Sequence, residues 1–271
     1  MRYPGNKALR GRILIAVLFV PIFVALLLLG GLPFLVLITA VAAVGVVELY
    51  RSSRISSRFP LKEAVLAALF PVIAYFGGEL ALVMATAVVI LAYFSWNLFA
   101  LQLNRLGTKV FAGIGSLLYV GFFLGFVVLT RQIPLQGTAL ATSLLLATWM
   151  GDTGAYTVGT RWGRHFLLPT YSSRKSWEGF FGALLFSLAA MIISRLWLNI
   201  ALCDILILGL LIGGIGQMGD LFESALKRSL AIKDFGQFLL GHGGILDRFD
   251  SLLFTAPVFF FYVKYVARIG G

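Results

Sequence analysis

Residues 13–29 read ILIAVLFVPIFVALLLL, an apolar run without a single charged side chain. A helix of about 20 apolar residues crosses a bilayer, because each residue adds about 1.5 Å across a hydrocarbon core of about 30 Å. The run does not alternate between polar and apolar residues, as a strand of a membrane β-barrel would. This stretch therefore predicts a membrane-spanning helix.

The residues before this run are basic: Arg2, Lys7, Arg10 and Arg12. Basic residues followed by an apolar run also make up a secretory signal peptide. However, the run exceeds the roughly 7–15 apolar residues of such a peptide, and no A-x-A-like cleavage site follows it. We therefore expect an uncleaved anchor.

Further apolar stretches indicate that the whole chain is a membrane bundle. Hydrophobic residues make up 60% of the 271 positions and charged residues 12%, with a mean hydropathy of +0.96. This composition excludes an ordinary soluble enzyme, a disordered chain and a disulfide scaffold. The sequence predicts an all-α, polytopic integral membrane bundle of about nine helices. After Ile13–Leu29 these are Leu32–Leu49, Ala64–Phe76, Leu80–Ala100, Val110–Thr130, Thr138–Thr160, Phe180–Leu198, Ile205–Met218 and Leu252–Val266.

The basic residues indicate the orientation. If the N-terminus is cytoplasmic, the cytoplasmic segments are 1–12, 50–63, 101–109, 161–179 and 219–251. They contain all of the 22 Lys and Arg residues except Arg131, Arg195, Lys264 and Arg268. This bias is what the positive-inside rule requires, and it places the C-terminus outside. The net charge of +11 is then explained by orientation and by attraction to anionic membrane lipids, and we expect no nucleic-acid partner.

The two halves of the chain differ in their acidic residues. Residues 1–137 contain Glu48, Glu63 and Glu79, whereas residues 138–271 contain the other eight acids. We therefore interpret residues 1–137 as a scaffold of about five helices. Residues 138–271 form the predicted catalytic region of about four helices, with cytoplasmic loops 161–179 and 219–251. Two GxxxG pairs, Gly121/Gly125 and Gly209/Gly213, predict close helix packing, and they are compatible with a homodimer.

The most polar stretch, residues 219–251, reads GDLFESALKRSLAIKDFGQFLLGHGGILDRFDS. On a helix, one stripe carries Asp220, Glu223, Ser224, Lys227 and Arg228, and Asp247 and Asp250 are also one turn apart. A structural salt-bridge network would account for this composition. However, carboxylates are costly near a membrane and tend to be functional there. Asp oxygens suit Mg²⁺, while Lys and Arg suit phosphate, so the mixture favours a phosphate–metal site.

A second polar cluster lies upstream. Asp152 falls inside a predicted span, where an acid is costly. The loop that follows contains SSRKSWEG at residues 172–179. This loop is either a basic membrane anchor or a phosphate clamp in which Arg174 and Lys175 are the donors, and the sequence leaves both interpretations open. Neither an HExxH nor a CxxC pattern occurs, so we do not expect a zinc site.

These motifs resemble those of the phosphatidate cytidylyltransferase (CDP-diacylglycerol synthase) family. The fixed positions of its signature occur as Ser224-x-Leu226-Lys227-Arg228, Lys233-Asp234, Gly236, His242-Gly243-Gly244, Asp247-Arg248 and Asp250. The upstream patterns D-x-G-A-Y and S-x-K-K-[ST]-W-E-G also match, with Arg174 in place of a lysine. The motif-bearing resemblance covers residues 150–251, and the first half resembles the family in hydropathy alone.

The resemblance implies that CTP and phosphatidic acid are condensed to CDP-diacylglycerol and pyrophosphate, with Mg²⁺ and room for a second cation. It places the enzyme in the cell (inner) membrane with its active site facing the cytoplasm. Asp220, Asp247 and Asp152 are the expected metal ligands. The expected catalytic residues are Asp220, Lys227, Arg228, Asp247, Arg248 and Asp250. The expected substrate-binding residues are Asp152, Ser172, Arg174, Lys175, Glu178, Ser224, Lys233, His242, Gly243 and Gly244.

Other functions are compatible with part of this pattern. A CTP-dependent polyprenol kinase would transfer the γ-phosphate and release CDP. A CDP-alcohol phosphotransferase would carry D-x2-D-G-x2-A-R, whereas Asp250 is followed here by Ser251. A cation transporter would spread its acids over several helices at the membrane midplane, whereas these cluster near the predicted cytoplasmic edge.

Overall fold

The computed structural model describes residues 19–53, 59–99, 106–168, 172–236 and 243–269, without the side chains of residues 172–174. Within these ranges the chain is almost entirely helical. The helices are α1 (Phe19–Leu29), α2 (Gly31–Ser52), α3 (Leu61–Phe99), α4 (Leu106–Arg131), α5 (Gly137–Trp162), α6 (Trp177–Ser194), α7 (Leu202–Ser229) and α8 (Asp250–Phe261). A 3₁₀ turn, Leu246–Arg248, precedes α8, and a π-helical turn, Tyr262–Val266, follows it.

Five of the described helices, α2, α3, α4, α6 and α7, are long and apolar enough to cross a membrane. The prediction of a helical membrane protein is therefore confirmed for the described residues, which are nearly all helical, whereas the count of nine helices and the orientation stay predictions. Each of the nine predicted stretches coincides with helix where the structure describes it, except that the helix in Phe180–Leu198 ends at Ser194. Helix α5 carries more polar residues, and α8 spans only 12 residues, so neither qualifies on length and composition.

Helix α3 combines the third and fourth predicted stretches. Its backbone breaks at Gly78, where φ is 72° and ψ is −165°, a conformation that glycine adopts far more readily than other residues. The break falls at the Gly77-Gly78 pair that the sequence marks as a boundary. Helix α3 therefore consists of two helical segments that change direction between the predicted stretches.

Small residues allow the helices of the second half to approach closely. A Cβ atom added to Gly154 of α5 would lie 2.5 Å from the carbonyl oxygen of Gly182 in α6. A Cβ atom on Gly213 of α7 would lie 2.8 Å from the Cα of Leu184 in α6. Gly121 and Gly125 of α4 pack in the same way against Ala67 and Leu82 of α3. Both predicted GxxxG pairs thus pack within one chain, and the homodimer stays a prediction.

The structure also contains strands that the sequence analysis did not predict. Residues Phe166–Leu168 (β1) and Ser172–Ser176 (β2) pair as an antiparallel hairpin within the loop after α5. The Ser176 Oγ then accepts a hydrogen bond of 3.1 Å from the Gly179 N–H and caps α6. The hairpin thereby brings Lys175 to the end of α7 that carries the acids.

Candidate active site

The predicted acids and bases converge between the C-terminal part of α7 and the N-terminal end of α8. Helix α5 and strand β2 each add a residue. We call the group formed by Asp152, Lys175, Asp220, Glu223, Lys227, Asp247 and Asp250 the polar cluster. Its members come from segments far apart in sequence. They meet because α5, β2, α7 and α8 pack side by side.

The first ion pair joins strand β2 to helix α7. Lys175 Nζ lies 2.7 Å from Asp220 Oδ1, and the lysine side chain is 16% exposed. The contact is an ion pair by distance, although Nζ has no described partner with the geometry of a hydrogen bond. Burial lowers the pKa of the Lys175 ammonium, and the charge of Asp220 opposes this shift. Lys175 is therefore a partly desolvated cation close to a carboxylate.

The second ion-pair group is centred on Lys227. Its Nζ donates to Glu223 Oε1 at 2.6 Å and to Asp247 Oδ1 at 3.0 Å. Glu223 lies one helical turn before Lys227 and is completely buried, and its Oε2 atom has no hydrogen-bond partner among the described residues. Lys227 thus holds a buried carboxylate of α7 and the carboxylate of the 3₁₀ turn together.

Backbone donors hold the other oxygen of Asp247. Its Oδ2 accepts hydrogen bonds from the Gly244 N–H at 2.6 Å and the Phe235 N–H at 3.3 Å. Gly243 has a φ of +85°, and a Cβ atom there would lie 2.7 Å from Asp247 Oδ2. This glycine is therefore required both by its backbone conformation and by the nearness of Asp247.

Asp152 and Asp250 meet at the start of α8. Asp152 Oδ1 accepts a hydrogen bond of 2.8 Å from Ser251 Oγ, and Asp250 Oδ1 accepts one of 2.8 Å from the Ser251 N–H. The negative charges of Glu223, Asp220 and Asp152 all act on Asp250. One side of the polar cluster is therefore rich in carboxylates, and Lys175 contacts one of them, Asp220, directly.

Other predicted site residues are not part of the polar cluster. Glu178 accepts hydrogen bonds from the backbone N–H groups of Arg164 and His165 and contacts His165 Nδ1 at 2.6 Å, so it stabilises the loop before β1. Arg228, Lys233 and Arg248 are exposed, and Ser224 is half-buried. The side chains of Ser172 and Arg174, and all of His242, lie outside the described residues.

Two residues of the first half reach this region, although the sequence analysis assigned that half to the scaffold. Glu48 Oε2, from α2, accepts a hydrogen bond of 3.0 Å from the Leu246 N–H. Tyr119, from α4, is buried against Phe222 and Phe254, and its hydroxyl has no described partner. For Glu48 the sequence does contain a signal, because an acid within an apolar stretch is costly unless something binds it.

The donor set fits a hard cation that binds together with a phosphate. Carboxylate oxygens are the protein ligands that Mg²⁺ prefers, and one or two are enough when substrate phosphates supply the rest. No three acidic, His or Cys side chains among the described residues are arranged to hold a metal ion by themselves. Asp152, Asp220 and Asp247 therefore do not form a preformed cage here. Asp247 in particular has both oxygens engaged, by Lys227 and by the backbone.

Comparison with known proteins identifies the same family that the sequence motifs resemble. The sequence model of the cytidylyltransferase family matches residues 10–266. The phosphatidate cytidylyltransferase of Bacillus subtilis is 32% identical over 264 residues, which cover 93% of this chain and 97% of that protein. The one from Staphylococcus epidermidis is 31% identical over 252 residues, or 91% and 96% of the two chains. The one from Staphylococcus saprophyticus is 41% identical over 145 residues, or 53% and 55%.

Proposed function

Because the chain belongs to the cytidylyltransferase family, we propose that it condenses CTP with phosphatidic acid to CDP-diacylglycerol and pyrophosphate. The chain is similar over more than nine-tenths of its length to proteins named for this activity. The observation that carries the proposal is the polar cluster itself, in which two half-buried lysines lie among carboxylates contributed by four separate segments.

The reaction joins two anions, which explains why such a site needs cations. An oxygen of the lipid phosphate attacks the α-phosphorus of CTP, a new P–O bond forms, and the bond to the β-phosphate breaks and releases pyrophosphate. The second pKa of a phosphate monoester is about 6, so at neutral pH the nucleophile is already ionised and needs no general base. Catalysis then consists mainly of positioning and charge neutralisation.

The residues of this chain divide into two roles in the proposal. Lys175 and Lys227, with Arg228 and Arg248, neutralise phosphate oxygens of the nucleotide and of departing pyrophosphate. Asp152, Asp220 and Asp247 would hold Mg²⁺, which would supply further neutralisation of the triphosphate when bound. Asp250 would orient Lys227 or a water molecule held in the metal site. Ser172, Arg174, Glu178, Ser224, Lys233, His242, Gly243 and Gly244 complete the proposed substrate-binding set.

The proposal also includes a membrane topology. Helix α3 counts as two spans because of its break at Gly78, which gives nine spans with α1, α2 and α4–α8. The N-terminus is cytoplasmic, the C-terminus lies outside the cell membrane, and the polar cluster faces the cytoplasm, where CTP is available. The distribution of Lys and Arg in the sequence supports this orientation.

One assay tests the proposed reaction against its alternatives. The purified protein is given phosphatidic acid, Mg²⁺ and CTP labelled either at the α- or at the γ-phosphate. We expect the α-label to enter the lipid and the γ-label to leave as pyrophosphate. Transfer of the γ-label to a lipid with release of CDP would instead show a kinase, and no turnover of CTP would favour a transporter.

A variant links the assay to the polar cluster. Asp247→Asn keeps the shape of the side chain but removes its charge, so we expect turnover to be lost while the protein still inserts and folds. Cys203→Ser, which changes an exposed residue on the far end of α7, is the matched control and should keep full turnover. Near-normal activity of Asp247→Asn would remove Asp247 from the proposed metal site.

A further inference from the structure

Glu48 is a buried acid that the proposed reaction does not use. It lies near the C-terminal end of α2 and is only 7% exposed. No cation lies within 4 Å of it among the described residues, which is unusual for a buried carboxylate. Its Oε2 atom accepts from the Leu246 N–H at 3.0 Å, and the Ile245 N–H also interacts with it. Backbone N–H groups of a distant segment therefore take the place of a cation.

Two glycines bring the chain close to this carboxylate. A Cβ atom on Gly236 would lie 2.5 Å from Glu48 Oε1, and a Cβ atom on Gly244 would overlap Glu48 Oε2. Gly236 follows α7, and Gly244 precedes the 3₁₀ turn. The segments on both sides of residues 237–242 thus converge on one side chain of α2.

The same two segments also donate hydrogen bonds to Asp247. The Phe235 and Gly244 N–H groups both donate to Asp247 Oδ2, while Glu48 contacts the neighbouring Gly236 and Gly244. A second bond from α2, from Ser52 Oγ to the Phe235 carbonyl at 2.8 Å, supports the same segment. Glu48 and Asp247 therefore both contact the same pair of backbone segments.

Apolar packing also holds these segments, because Phe235, Ile245 and Leu246 are all buried in the hydrophobic core. A cavity of about 480 Å³ lies there, and its walls include Val44, Val47, Glu48, Phe235 and Gly236. The hydrogen bonds to Glu48 and from Ser52 add a directional restraint to this packing. Removing the Glu48 carboxylate should therefore loosen this region specifically.

We propose that Glu48 is a positioning residue that fixes the turn carrying Asp247 relative to the rest of the polar cluster. Its carboxylate fixes the Ile245 and Leu246 backbone, and this backbone sets where Asp247 meets Lys227. The kinetic part of this inference rests on the proposed function. The structural part, an ordered turn that depends on Glu48, does not.

The first test measures the turn directly and needs no substrate. Glu48→Ala and Glu63→Ala each remove a buried acid from a helix of the first half, but Glu63 bonds to Tyr93 rather than to the turn. In full-length protein in detergent, we expect faster hydrogen exchange over residues 243–249 in Glu48→Ala and unchanged exchange there in Glu63→Ala. Equal exchange in wild type and Glu48→Ala would overturn the proposal.

The second test uses kinetics and a conservative variant. Misplacement of a catalytic group by about 1 Å can lower the rate on the order of 10²-fold, so Glu48→Ala should lower kcat by that factor. Glu48→Gln can still accept from the Leu246 N–H and should recover most of kcat, whereas Glu63→Ala should keep it. A loss of kcat in Glu48→Gln as large as in Glu48→Ala would show that the charge matters instead of the hydrogen bond, and would contradict positioning.

The two tests separate the failure of this inference from that of the proposed function. If wild-type protein fails to make CDP-diacylglycerol, the exchange measurement still decides whether Glu48 orders the turn. If Glu48→Ala does not fold, the exchange and kcat of Glu48→Gln and Glu48→Asp are compared instead. Aspartate is shorter by one methylene. Glu48→Asp should therefore lose both the hydrogen bond from the Leu246 N–H and the kcat that Glu48→Gln keeps.

Discussion

Lys227 shows how one side chain can stabilise a group that would otherwise be too costly to bury. The fully buried Glu223 is its partner one turn earlier on α7, and Asp247 is its partner from the following turn. The sequence predicted the first contact, because residues four apart share a helix face. The second contact depends on how the chain returns after α7, which spacing alone does not reveal.

We expect Lys227→Met to destabilise the protein strongly. The methionine fills similar volume but leaves Glu223 as an unpaired buried charge, and breaking a buried pair in this way costs about 3–5 kcal/mol. Thermal unfolding in detergent measures the effect. The double variant Glu223→Gln/Lys227→Met removes both charges and should recover much of this loss. If the double variant is as unstable as the sum of the single variants, the two residues do not act as a pair.

A smaller effect is expected for Ser251→Ala. Its hydroxyl donates to Asp152 Oδ1 at 2.8 Å, and a hydrogen bond to a charged group contributes about 1.5–3 kcal/mol to stability. The free energy of unfolding should fall by about this amount in the variant. Ser229→Ala is the control, because the Ser229 hydroxyl bonds only to the nearby backbone at an exposed position. Equal losses in both variants would argue against a special role of the Ser251–Asp152 contact.

At the scale of single elements, the turn before α8 has a specific requirement for glycine. Gly243→Ala places a methyl group at a φ of +85° and against Asp247 Oδ2, so we expect turnover to fall sharply. Gly107→Ala in α4 is the control, because nothing lies within 4 Å of its Cβ position. That variant should be neutral or slightly more stable, since alanine favours a helix over glycine by about 1 kcal/mol. Normal turnover in Gly243→Ala would show that the turn can relax.

The elements also show what a sequence can and cannot predict. The α7 stripe and the break at Gly78 follow from local patterns, namely side-chain periodicity and glycine pairs, and the structure contains both. The β1–β2 hairpin was missed because FLL is too short, and SSRKS too polar, to show a strand pattern. The role of Glu48 was missed because its contact with Leu246 joins residues 198 positions apart.

At the scale of the whole molecule, both halves of the chain contribute residues to the surroundings of the polar cluster. Glu48 of α2 and Tyr119 of α4 both reach residues beyond position 137. The division into a scaffold of residues 1–137 and a catalytic region of residues 138–271 stays a prediction. The contacts indicate that the helices of the first half do more than fill the membrane, because α2 also supports the turn that carries Asp247.

The single cysteine allows the topology of the whole molecule to be tested without changing the chain. Cys203 is exposed at the start of α7, and the nine-span topology places it outside the cell membrane. An impermeant maleimide added to intact cells should therefore label the wild-type protein and leave Cys203→Ser unlabelled.

In a Cys203→Ser background, Arg268→Cys should react from outside, whereas Arg164→Cys, in the predicted cytoplasmic loop, should react only after the membrane is opened. Labelling of Arg164→Cys in intact cells, or protection of both Cys203 and Arg268→Cys, would contradict the predicted orientation. If Cys203 alone were protected, the error would lie in the spans next to it, and the orientation of the C-terminus would still hold.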